Sequence, residues 1–147
     1  MPHDPVELRC ASSPTIADAH LRTPKVHGPD VSVGAARVFF LDGHVHALLL
    51  VEGDVLVAVV ERADLEGVPD DARARSVGVL AGRTAAPGDD LEETRQAMAG
   101  RAQRRLAVVD GRGVLLGLLC LKRHGRGFCT AADVAARDAD RAGTRAG

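Results

Sequence analysis

The side chains with the most chemical potential sit just after apolar runs. AVVERADL brings Glu61 and Asp64 to the start of a turn, and Thr130-Ala-Ala-Asp133 places a hydroxyl and a carboxylate at the same spacing further along. Such groups can hold a polar ligand, yet Asp64 fits equally well as a helix N-cap, a role worth about 1 kcal/mol. Thr130 and Asp133 likewise match a capping-box-like helix start. His44 and His46 form an HxH pair that would point one way from a strand, but no third ligand stands at a suitable spacing, so no metal site is expected. Arg101, Arg104 and Arg105 could recognise phosphate; cations at a helix C-terminus are favoured by the helix dipole in any case, and that simpler reading is preferred. His20, His27 and His124 fall in expected loops or helix edges and read as solvated. Gly111-Arg112-Gly113 reads as a hairpin turn, because no strand–loop–helix context with a phosphate-loop pattern surrounds it. No Ser/His/Asp or Cys/His set can be assembled in one pocket, so no enzyme activity and no catalytic cofactor are expected.

The elements that position these residues must be built largely without aromatics. Of 147 residues 46% are hydrophobic but only 2% aromatic, so the core falls to Val, Leu and Ala, a composition that suits buried strands. With 19 basic and 20 acidic residues the formal charge is -1, which provides no global field for a polyanion and makes nucleic acid an unlikely main partner. The longest apolar stretches are broken by Glu52-Gly53-Asp54 and fall short of the roughly 20 residues that span a bilayer. The N-terminus, MPHDPVELRC, lacks the basic start and apolar centre of a signal peptide, and a cytoplasmic location is expected. Cys10, Cys120 and Cys129 show no CxxC spacing, so reduced thiols are expected, with Cys120 acting as a small buried hydrophobe.

The chain repeats itself. A first unit over 14–67 and a second over 76–137 are joined by a linker over 68–75, with loose ends over 1–13 and 138–147. In each unit a Pro/Gly/Asp turn leads into a helix, with Asp30 or Ser32 and Asp89 or Asp90 as N-caps and Asp42-Gly43 and Gly100 as stops. Two apolar strands follow, Ala47 to Val51 and Val55 to Val60, then Leu106 to Val109 and Val114 to Leu121. A short helix closes each unit, near Asp64 to Glu66 and over Thr130 to Arg137. Both strands of each hairpin are almost wholly apolar, which requires cover on both faces. The fold class is therefore α/β (α+β), two units packed face to face about a pseudo-twofold axis with two equivalent clefts.

This doubled order of turn, helix, strand, Gly/Asp turn, strand and acidic helix start resembles the CBS domain pair, or Bateman module, over about residues 16 to 136. The resemblance implies tandem β-α-β-β-α repeats and a non-catalytic sensor module that binds an adenosine-type nucleotide, AMP, ATP or a related adenosyl ligand, between the repeats. In that family the second strand ends in Gly-h-h-Thr-x-x-Asp, whose hydroxyl and carboxylate meet phosphate and ribose. Here the first repeat places Ala58, Glu61 and Asp64 at those positions, and Glu61 would repel a phosphate. The second repeat places Gly117, Cys120 and Arg123 there; a turn inserted over Arg123 to Gly127 would lengthen the strand and move the motif to Thr130 and Asp133.

Each cleft of such a pair mixes both repeats. One pocket then combines Glu61 and Asp64 with Thr84, Ala86, Arg105 and Leu106; the other combines Cys120, Arg123, Thr130 and Asp133 with Thr23, Lys25, His46 and Ala47. Lys25, Lys122 and Arg123 make the second the preferred nucleotide site. The resemblance also implies a homodimer built through the helices, and a regulated protein partner. The alternative is a structural dimerisation or protein-interaction module whose clefts have lost their ligand. A weaker third reading is a nucleic-acid-associated regulator using Arg101 to Arg105 and Lys122 to Arg126.

Overall fold

The computed structural model describes residues 14–22 and 24–130. Along these run α1 (Val33–Phe39), β1 (Leu48–Glu52), β2 (Val55–Val60), β3 (Thr84–Ala85), α2 (Leu91–Gly100), β4 (Arg105–Val109) and β5 (Leu115–Cys120), with short 3-10 helices over Ile16–Asp18, Arg62–Leu65 and Ala74–Ser76. Among the described residues the expected order of helix, strand and strand recurs twice, and the architecture is mixed α/β. The helix expected over Thr130 to Arg137, and Thr23 and Asp133, lie outside the described residues.

The helix starts are decided by one oxygen each. Ser32 Oγ accepts the Ala35 N–H and an Asp90 carboxylate oxygen accepts the Glu93 N–H, each satisfying an orphan donor of the first turn. Asp89 instead accepts the Ala86 N–H and shapes the turn before the cap. α1 stops at Phe39, ahead of the Asp42-Gly43 signal, with Phe40 as its C-cap and buried in the core. α2 ends at Gly100 and reverses through Ala102, whose φ of 54° is left-handed without a glycine to ease it.

Each hairpin is antiparallel and carries a register shift at the same place, between Leu50 and Val51 in one and between Val108 and Val109 in the other. Each first strand also gains a parallel neighbour: β3 pairs with β4, and His27 bridges Leu50. The tips meet across the pseudo-twofold axis, where Leu56 N–H donates to the Gly113 carbonyl and Leu115 N–H to the Asp54 carbonyl.

Among the described residues three apolar clusters form most of the core. Val33, Leu50 and Val60 anchor the first unit, and Met98, Val108 and Leu119 the second. Leu49, Leu56, Val59 and Ala107 form a third cluster that joins the two sheets. Strands covered on both faces thus remove apolar area from water twice over, as their near-continuous hydrophobic sequence requires.

The opening segment of each unit crosses to the other side. Leu21 pairs with Leu118 of β5, and Val79 pairs with Val59 of β2. Ile16, fully buried, packs in the second unit's core although it stands at the start of the first unit in sequence. The stretch 68–75 is part of the fold as well: Ala74 is fully buried in the first core, and Val33 N–H donates to the Ala72 carbonyl. His20 and His27 are tied in rather than solvated, His20 against β5 at Gly117 and His27 with its ring centroid 4.3 Å from that of Phe39, the planes tilted by 44°. Among the described residues no helix is long and apolar enough to cross a membrane.

Candidate functional site

β2 runs out into Glu61 and a 3-10 turn over Arg62–Leu65, and the capping demands of that turn fix Asp64. Its Oδ2 accepts the Glu61 N–H at 2.8 Å, closing the turn on itself. The crossing segment then brings Arg83 against the same carboxylate. Arg83 donates to both Asp64 oxygens, at 2.6 and 3.1 Å, and to the Val59 carbonyl at 2.8 Å, while standing 3.3 Å from a Glu61 carboxylate oxygen. The pair is largely out of water, with side-chain exposures of 16% and 15%. Burial alone would raise the Asp64 carboxyl, but the hydrogen bonds from Arg83 and the Glu61 N–H and the Arg83 charge outweigh it and hold the pKa below the usual aspartate value. Asp64 is therefore an internal counter-ion as well as a cap, with both oxygens engaged by the protein.

In front of this pair lies an open groove of about 470 Å³, lined by His46, Glu61, Arg62, Arg83, Gln103 and Arg105 among others. Its walls hold five arginines, 62, 83, 101, 104 and 105, against the single carboxylate of Glu61. The backbone fixes several of them: Arg62 donates to the Phe40 carbonyl and Arg104 to the Leu121 carbonyl. His46 feels the field directly. Burial, then Arg105, Arg104, Arg62 and His44, push its pKa from 6.5 down to about 4, so at neutral pH the imidazole is uncharged. A dense set of guanidiniums around a neutral imidazole is suited to an anion, which Arg can grip through paired N–H groups.

Sequence grouping and geometry divide at this site. Glu61 and Arg105 line the groove, as does His46, which sequence grouped with the second cleft. Thr84 and Leu106 line a neighbouring recess of about 330 Å³ that shares Gly82 and Arg101 with the groove. Ala86 is occupied in the Asp89 turn, and Ala47 packs in the central apolar cluster. Lys25, Arg123 and Thr130 are exposed.

Cys120 is buried, its sulfur 2.7 Å from that of Cys129. The residues after β5 fold back rather than lengthen it: Leu121 bridges Phe128, and Gly125 takes φ of 75° in the turn.

The residues missed from sequence as site-forming are Arg62 and Arg83, while Arg101 and Arg104 were set aside as helix-end charges. Arg83 was within reach, because the repeat alignment places it where the first unit has Lys25, a residue that was singled out. His44 and His46 precede β1 rather than occupying it, and among the described residues no group of three His, Cys, Asp or Glu side chains could hold a metal ion.

No family model and no curated protein matches the chain. Solved structures do. The CBS domains of a transcriptional regulator from Streptococcus pneumoniae share 14% identity at a TM-score of 0.61, covering 76% of this chain and 94% of that one. CBSX2 in complex with AMP shares 20% identity at a TM-score of 0.60, covering 87% and 98%. The CBS domain pair of protein MJ0100, in complex with 5′-methylthioadenosine and S-adenosyl-L-methionine, shares 14% identity at a TM-score of 0.58, covering 88% and 98%. The swapped, doubled hairpins and these superpositions define one class of fold: the chain folds as a CBS domain pair.

Proposed function

We propose that this chain is a non-catalytic sensor module whose first cleft binds an adenosine-type nucleotide through its phosphate. The observation that carries the reading is the arginine-lined groove at the junction of the two repeats, in a fold that CBSX2 and the MJ0100 pair use for AMP and for adenosyl compounds. Its volume falls within the ~300–1,000 Å³ of small-molecule sites. Arg101, Arg104 and Arg105 take the phosphate, and Glu61, 34% exposed at its side chain, accepts from the ribose hydroxyls in place of the engaged Asp64. Sensing requires the ligand to favour one arrangement of the repeats, since equal affinity for two arrangements shifts neither. A homodimer is proposed to present this site to a protein partner; Val38 and Leu41, 64% and 83% exposed at the end of α1, offer an apolar contact for it.

A second reading, a structural interaction module without ligand, draws on the Arg83–Asp64 pair that occupies the family's ribose position. Calorimetry with AMP, ATP, NAD and S-adenosylmethionine decides between them. Micromolar binding that raises Tm supports the sensor; no heat and an unchanged Tm with all four supports the structural module.

A further inference from the structure

Beyond the groove, the chain carries a pair of buried thiols that the nucleotide reading does not use. β5 ends at Cys120, the chain turns through His124 to Arg126, and residues 127–129 return antiparallel to the strand. The Leu121–Phe128 bridge and the Cys129 N–H bond to the Cys120 carbonyl put residues 120 and 129 opposite each other. Directly opposed residues on neighbouring strands hold their Cβ atoms about 4.5–5.5 Å apart, next to the ~3.5–4.5 Å span a disulfide needs. The side chains face one another, with sulfurs 2.7 Å apart and both residues at least 95% buried.

The equivalent positions of the first unit lack this device. Glu61 stands where the second unit has Cys120, and it faces Arg83 rather than a returning strand. The pair therefore does not follow from the repeat; it belongs to the turn that only the second unit has.

We propose that Cys120 and Cys129 are a thiol–disulfide modification site that cross-links the end of β5 to the segment leading into Thr130. The oxidant is a small-molecule disulfide of the glutathione class. One cysteine thiolate attacks a sulfur of that disulfide and expels one small thiolate, leaving a mixed disulfide. The second cysteine thiolate attacks the protein sulfur of the mixed disulfide and expels the other small thiolate. Two protein thiols become one disulfide, one small disulfide becomes two small thiols, and the two protons pass to the departing thiolates. Burial keeps the exchange slow until the turn over 122–128 opens, so the cross-link reports sustained oxidising conditions and, once made, holds that turn shut.

The full chain allows a direct test, because trypsin cuts at Lys122, Arg123 and Arg126 separate the two cysteines. The folded, reduced protein is incubated with oxidised glutathione, capped with an alkylating agent and digested without reductant. The expected product is the peptide Gly113–Lys122 joined to Gly127–Arg137, split by reductant, in the wild type and in Cys10→Ser alike. Hydrogen exchange over 122–129 slows severalfold on oxidation. The proposal is overturned if both peptides emerge singly alkylated, if Cys10 is a partner in the linked product, or if exchange over 122–129 is unchanged by the cross-link. Cys129→Ser, at the margin of the core, removes the linked product while its circular dichroism matches the wild type; a linked product that survives it also overturns the assignment.

Discussion

The two clefts of this pair are built on equivalent hairpins yet carry different chemistry. At the first, the crossing segment delivers Arg83 onto Asp64 and Glu61, and further arginines gather in front. At the second, the positions of Glu61, Asp64 and Arg83 are held by Cys120, Arg123 and Lys25, one buried and two exposed. The same division recurs where the crossing segments meet the sheets. The first unit has Ala58 on β2, and a Cβ added at Gly78 would come within 2.7 Å of the Ala58 Cβ; the second has His20 against Gly117 on β5. One side chain is allowed at each contact, and the two halves place it on opposite partners. Internal symmetry thus fixes where the main chain goes, and each cleft is then free to diverge in what it holds.

The steric contact offers the largest break. A Cβ at Gly117 would overlap the His20 ring and the Leu21 carbonyl, so Gly117→Ala should cost about 3 kcal/mol in urea unfolding. Adding His20→Gly should recover about 1 kcal/mol of it, a coupling that a double-mutant cycle measures. Recovery of nothing would mean that the Leu21 carbonyl alone sets the limit.

Next in size is the ion pair. Asp64→Asn leaves the Arg83 guanidinium with Glu61 as its one remaining carboxylate and should cost about 2 kcal/mol at pH 7, below the range for a fully buried pair. Because the Asp64 carboxyl is held below its unfolded value, its contribution is complete above about pH 4 and fades as pH falls through the folded pKa. The stability gap between wild type and Asp64→Asn should therefore narrow below pH 4. Lys25→Ala, the counterpart of Arg83, should change stability by under about 0.5 kcal/mol.

Ligand binding should distinguish the clefts as well. Arg101→Ala should weaken AMP roughly tenfold, the loss of about one charged hydrogen bond, while Lys25→Ala leaves affinity unchanged by calorimetry. The reverse pattern would move the site to the second cleft.

The smallest effect is a proton. Burial and then the arginine field hold His46 near 4; a phosphate in the groove offsets the second of these, so binding should raise its pKa and take up protons. Affinity should then strengthen as pH falls below the bound-state pKa and level off near 4. NMR titration of His46 with and without AMP checks the shift, and His46→Asn should flatten that part of the affinity profile.

Much of the fold was legible because it follows from local periodicity. Apolar runs broken by Glu52-Gly53-Asp54 and by Asp110 to Gly113 gave both hairpins to within a residue or two, and Ser32 and Asp90 stood among the caps expected. The groove was less legible. Arginines at 62, 83, 101, 104 and 105 come from three separate stretches of chain, and only the swap of the crossing segments brings Arg83 to Asp64.

Sequence alone determined that this protein would fold as two like halves with doubly covered strands, since pattern and turn chemistry act between near neighbours. Tertiary structure decided which carboxylate is spent inside, which arginines converge and which cysteines meet. Those outcomes depend on distances between residues far apart in the chain, and composition and periodicity do not encode them.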